Sequence, residues 1–192
     1  ARLRFVAPAA TQFAAMAVVG LYASVAPDIV RQDLHIANRA LGGAVVAQLF
    51  VIGALAMVLA RRLSPRATML AGLAAAPPGL ALLVVAQGQG SIGLMLAATA
   101  LCGAGAGLGY SGGLEVTNRL APSEHRAAAA AAFFLCGFLG GTVPILGVGA
   151  LADASGLAAA VRAFAAVVAG LAILAFVVDL IVERRAGSRS SG

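Results

Sequence analysis

The chain has 192 residues, of which 61% are hydrophobic and only 10% charged, and its mean hydropathy is +1.00. Soluble domains carry about a quarter of their residues as charges, so a single water-soluble core cannot hide this much apolar surface. The net charge of +6 comes from thirteen basic residues, all arginine, set mainly in connectors and tails between apolar runs; that placement reads as topology and headgroup contact and speaks against nucleic-acid binding.

Six uncharged or nearly uncharged runs follow one another. The first covers residues 5–26 and is expected to end at Pro27 and a mixed-charge connector, 28–39. Arg2 and Arg4 precede it, and it exceeds the core of a removable signal peptide, so it is read as a span. The second, 40–60, stops at Arg61 and Arg62, and the third, 69–86, carries Pro77 and Pro78 and ends in a polar turn. The fourth and fifth, 92–114 and 127–152, flank an arginine-bearing connector. The sixth, 157–182, holds Arg162 near one end and Asp179 near the other, and residues 183–192 form a polar tail. At about 1.5 Å per residue, runs of this size approach or exceed a hydrocarbon layer roughly 30 Å thick, and backbone amides inside lipid must bond within their own helix. The fold expected is an all-α membrane protein, one domain of six transmembrane helices.

Arginine placement sets the orientation. Arg2, Arg4, Arg61, Arg62, Arg66, Arg119, Arg126, Arg184, Arg185 and Arg189 fall on one side, and Arg31, Arg39 and Arg162 on the other. Both termini, and the tail, are therefore expected in the cytoplasm, with the helices in the plasma (inner) membrane. Helices in lipid approach one another through small residues. Gly103 with Gly107 and Gly137 with Gly141 put bare patches on the fourth and fifth helices, which are expected to pack closely or slide on each other. Pro77, Pro78 and Pro144 remove amide donors within helices and predict kinks.

Cys102 and Cys136 fall inside apolar spans without metal-ligand spacing, and neither His35 nor His125 lies in a span, so no metal and no cofactor is expected. Gly109-Tyr110-Ser111-Gly112-Gly113 matches the nucleophile elbow of hydrolases and also resembles the rhomboid protease signature. An intramembrane hydrolase using Ser111 needs a histidine in a later helix, and the fifth and sixth spans have none. Helix packing is the stronger reading, and no catalytic residue is assigned. Polar side chains that survive in lipid are candidates for a path or site: Gln12, Tyr22, Gln48, Thr99, Tyr110 and Thr142. Pro8, Thr11, Ala15 and Tyr22 share one less oily face of the first helix, with Gln12 beside them.

Three stretches carry a family resemblance. Gly140-Gly141-Thr142-Val143-Pro144, followed by Gly147 to Gly156, is similar to the eleventh helix of major facilitator superfamily transporters and its turn into the twelfth. Gly103 to Pro122 resembles the tenth helix running into an Asn-Arg-Leu-Ala-Pro connector, and Arg61-Arg62-Leu63-Ser64-Pro65-Arg66 resembles the basic connector between the eighth and ninth. Gly149 to Gly156 also matches part of the family's cytoplasmic Gly-x-Leu-Ala-Asp-x-x-Gly signature, but four helices precede it and the charge count places it outside.

The resemblance implies the C-terminal six-helix half of a secondary carrier, a permease or exporter of a small organic solute. The six polar candidates would line its cavity, while Arg61, Arg62 and Arg66 would latch its cytoplasmic side by ion pairs or simply set topology. Such a half implies an N-terminal partner half or a second copy of itself, besides the lipid bilayer. The other readings are a non-transporting multi-pass subunit, a truncated remnant, and the Ser111 hydrolase.

Overall fold

The computed structural model describes residues 2–34 and 38–187. His35 and residues 188–192, Arg189 among them, lie outside the described residues, as do the side chains of Arg2, Arg4, Arg39, Arg184 and Arg185. Six helices run in order: α1 (Arg2–Gln32), α2 (Arg39–Leu59), α3 (Pro65–Gln89), α4 (Ile92–Leu120), α5 (Arg126–Ser155) and α6 (Leu157–Gly187). Each contains a stretch long and apolar enough to cross a membrane. Single 3-10 turns, Ala60–Arg62 and Ser123–His125, follow α2 and precede α5.

The helices outrun the hydropathy boundaries because charge ends a span, whereas only a cap ends a helix. Asn38 accepts from the Ala40 amide at 3.0 Å and starts α2; Ser64, followed by Pro65, accepts from Ala67 at 3.3 Å and starts α3. Pro27 does not end the first helix, contrary to the sequence expectation: α1 continues through it to Gln32. The ring deprives the Ala23 carbonyl of its helical donor, but Ser24 donates to Gly20 at 2.8 Å just before the break, and Pro27 seats on bare Gly42, where a Cβ would come within 2.9 Å of its Cα. The sixth helix likewise takes in the first residues of the polar tail.

Left-handed glycines make the two tightest turns. Gly90 (φ 61°) ends α3, and Gly156 (φ 85°) separates α5 from α6. We expect Gly90→Val to destabilise the bundle by about 1–2 kcal/mol, because an L side chain is costly in this region, and Gly90→Asn to cost less. Thermal unfolding of the detergent-solubilised protein would show the ranking.

Backbone contacts at glycines define the topology. Gly72 of α3 meets Gly105 and Gly109, and Gly79 meets Cys102, so α3 runs antiparallel to α4. Gly53 of α2 sits on Gly103 and Gly107, and Gly103 on Leu49, which makes α2 and α4 parallel. Gly137 covers Gln12, Gly140 covers Phe13, and Gly20 meets Ile145, so α1 and α5 are parallel too. Thr11 faces Gly109, and Pro8 faces Gly113.

These contacts correct the expected partnership of α4 with α5. The Gly103 and Gly107 face is taken by α2, and Gly137 by α1, so α4 and α5 meet only lightly. Tyr110 lies 6.3 Å from Phe133 and 6.4 Å from Phe134, centroid to centroid, and Gly113 abuts Phe133.

The main core gathers Leu21, Tyr22, Ile29, Leu49, Leu80 and Phe164 from four helices. Outward, Leu59 is 81% exposed and Phe138 74%, levels that a water-facing surface would not sustain along whole helices but hydrocarbon would.

Candidate functional site

A groove of about 320 Å³ opens between α1 and α2, with α4 as its floor. Gly103, Ala106 and Gly107 leave the floor bare, while Met16 and Val19 form one wall and Phe50, Ala54 and Met57 the other. Tyr110 is the one polar side chain lining it among the described residues. The groove exists because α4 has almost no side chain there: the glycines that admit the α2 backbone also leave space beside it.

A second groove, of about 360 Å³, lies where α2 ends, α3 begins and α4 nears its last turns. Arg61, Thr68, Ser111, Glu115 and Arg119 line it, and Met57 belongs to both grooves. Glu115 and Arg119 pair at 2.9 Å one helical turn apart, with side chains 49% and 66% exposed. Arg61 has no ion pair among the described residues and is exposed.

Of the six polar candidates, Tyr110 alone lines the apolar groove. Gln12, Tyr22 and Thr99 are buried inside the bundle. The less oily face of α1 turns toward α4: Pro8 and Thr11 meet Gly113 and Gly109, and Tyr22 sits beside Thr99 and Cys102. Thr99 donates to Met95 at 2.7 Å and Thr11 to Ala7 at 2.7 Å, the usual way a hydroxyl satisfies itself inside a helix. Gln48 donates to the Leu96 carbonyl at 3.0 Å and ties α2 to α4. Thr142 is exposed on α5. Gln12 Oε1, Tyr22 Oη, Gln48 Oε1 and Thr117 Oγ1 are buried without a partner among the described residues. Thr117 went unnoticed in the sequence because it lies beyond the apolar run, in the part of α4 that hydropathy does not mark.

Arg61 and Arg62 are exposed on the turn after α2. Arg66 is turned inward, its Nε 2.8 Å and its Nη2 2.7 Å from Asp179 Oδ2 on α6. At the opposite end Gln87 of α3 donates to the Asp33 carboxylate at 2.6 Å. The starts of α3 and α5 thus share an end with the close of α6, and the closes of α1 and α3 share the other.

Ser111 lies within continuous helix and donates to Gly107 at 2.9 Å, with Leu108 at 3.3 Å. His125 is exposed in the turn after α4. The strand-turn-helix setting of a nucleophile elbow is thus missing around Ser111. Among the described residues no three of His, Cys, Asp and Glu stand close enough together to hold a metal ion.

Six membrane-length helices, with a lipid-facing exterior and a small-residue groove, define a multi-pass helical membrane protein. The sequence profile of the Major Facilitator Superfamily matches residues 9–191, and the chain belongs to that family of membrane transporters. No curated protein matches it.

Proposed function

We propose that the chain is the C-terminal six-helix half of a secondary transporter that moves a small organic solute by alternating access, with export as the favoured direction. The groove over α4 carries this reading: walls of Met16, Val19, Phe50 and Met57 and a floor of glycine and alanine fit an apolar solute, with Tyr110 as the polar contact. Phe50, on the wall of this groove, is 56% exposed, and Leu55 of α2 and Leu146 of α5 are uncovered as well, which supports a second six-helix unit, either an N-terminal half or another copy, closing over the site. The arginine distribution supports cytoplasmic termini in the plasma membrane, and Arg61 and Arg62 stand where a cytoplasmic latch or topology signal belongs.

The test is flux of a neutral lipophilic fluorescent dye across vesicles holding the full-length protein. Ala54→Trp, which plugs the groove from an exposed wall position, should slow flux about tenfold or more, the effect of an overpacked contact. Leu174→Trp, on the lipid-facing side of α6, should not. Flux that ignores Ala54→Trp refutes the groove as the path, and a fluorophosphonate probe that labels Ser111 would move the chain to the hydrolases.

A further inference from the structure

We infer that the solute is a single-chain anionic amphiphile, its chain lying in the apolar groove and its acidic head at Arg61. The inference rests on the transport reading above and assigns that site its substrate class.

Two volumes of different lining share Met57. The one beside Met16, Phe50 and Tyr110 is walled almost entirely by carbon, and the one beside Arg61, Glu115 and Arg119 sets these charges, with Thr68 and Ser111, among apolar neighbours such as Leu63 and Pro65. From Leu49 to Met57 the α2 wall runs about 12 Å, and Arg61 follows one turn later. A ligand that fills both must therefore be oily along one end and polar at the other. The apolar part, at about 320 Å³, is at the small end of ligand sites, which fits one chain and not two.

Charge sets the sign of the head. Glu115 is matched by Arg119 at 2.9 Å, so the pair is close to neutral, and Arg61 supplies the remaining positive charge of the polar groove. A carboxylate, phosphate or sulfate complements it, whereas a cationic head would meet Arg61 without a free acid among the described lining residues to balance it. Arg61 is also the first charge that the α2 wall reaches, so head and chain are placed by the same helix.

The experiment measures binding of dansyl-labelled undecanoic acid and of the corresponding alcohol to the full-length protein in phosphatidylcholine nanodiscs. The acid should bind about tenfold more tightly than the alcohol, the gain of one charge-assisted contact. Arg61→Gln should bring the acid down to the affinity of the alcohol, and Arg61→Lys should restore most of the difference. Arg126→Gln, the same charge change at the start of α5, should keep it. As competitors, saturated fatty acids from octanoate to decanoate should gain about fourfold per methylene. Equal binding of acid and alcohol, or an unchanged preference in Arg61→Gln, overturns the inference. So does displacement of the probe by phosphatidylglycerol in the disc as effective as that by decanoate, which would make the grooves a seat for bilayer lipid. If dye flux still falls in Ala54→Trp while the acid shows no preference, the amphiphile is wrong and the transport reading stands. If flux ignores Ala54→Trp as well, both fall.

Discussion

Gly107→Val should be among the most damaging single substitutions in the bundle. A Cβ on Gly107 would overlap the Gly53 carbonyl oxygen and lie 2.8 Å from both the carbonyl carbon and the Cα of Gly53, all of them backbone atoms of α2 that no rotamer change can move aside. On the neighbouring turn, a Cβ on Gly103 would come within 2.5 Å of the Leu49 carbonyl oxygen. Helix association in lipid depends on close packing of this kind, since the tails are as oily as the helix surface. Forcing α2 away from α4 therefore forfeits the contact along the whole crossing, and about 1–3 kcal/mol or more is expected from the overlap. Gly147→Val on α5, where nothing lies within 4 Å of the added carbon, should be close to neutral by comparison. Paired thermal-stability curves of the two variants in the same detergent would check this. Equal losses would mean that β-branching within a helix, not the α2–α4 crossing, sets the cost.

That contrast also shows what a sequence can and cannot carry. The six helices and the membrane were legible because a hydrocarbon layer admits so little charge that arginines and acids mark the edges of each span. The family was legible too, in the Gly140 to Gly156 stretch and the Arg61 connector. Helix ends were not, because α4 continues past Glu115 and α1 past Pro27 into the headgroup region, where charge is tolerated and the helix goes on until its cap. A spacing of four glycines declares a bare face but not its occupant, so Gly103 and Gly107 gave no sign that α2, and not α5, would lie there. Polarity was equally ambiguous. Thr11, Thr99 and Ser111 spend their hydroxyl donors on carbonyls of their own helices, a solution that leaves no trace in composition. The apolar groove is built mainly from Met, Val, Phe, Ala and Gly, residues no different in type from those facing lipid, and of its lining only Tyr110 stood out beforehand as a solute contact.

Asp179→Ala should destabilise the bundle more than removal of both members of the Arg66 pair. The two residues are 113 positions apart, and their contact joins the start of α3 to the last turns of α6. Asp179 has 16% of its side chain exposed and Arg66 35%, so water screens the pair only in part. Both Nε and Nη2 of Arg66 reach Oδ2, and Nη2 lies 3.5 Å from the Asp179 carbonyl oxygen. Fully exposed pairs contribute about 0–1 kcal/mol, and breaking a buried one costs about 3–5 kcal/mol; this half-buried pair belongs between, at about 1–3 kcal/mol. The cost is the loss of the guanidinium's contacts with this carboxylate, made where water screens them only in part. Arg66→Met with Asp179→Leu replaces both charged groups by apolar ones, and should recover a substantial part of the loss. A double-mutant cycle on thermal stability, with Asp179→Asn to separate charge from hydrogen bonding, measures the coupling. A coupling near zero, or a double variant no better than Asp179→Ala, would mean that α3 and α6 are held together by Leu73, Ala76, Ala172 and Ala175 alone.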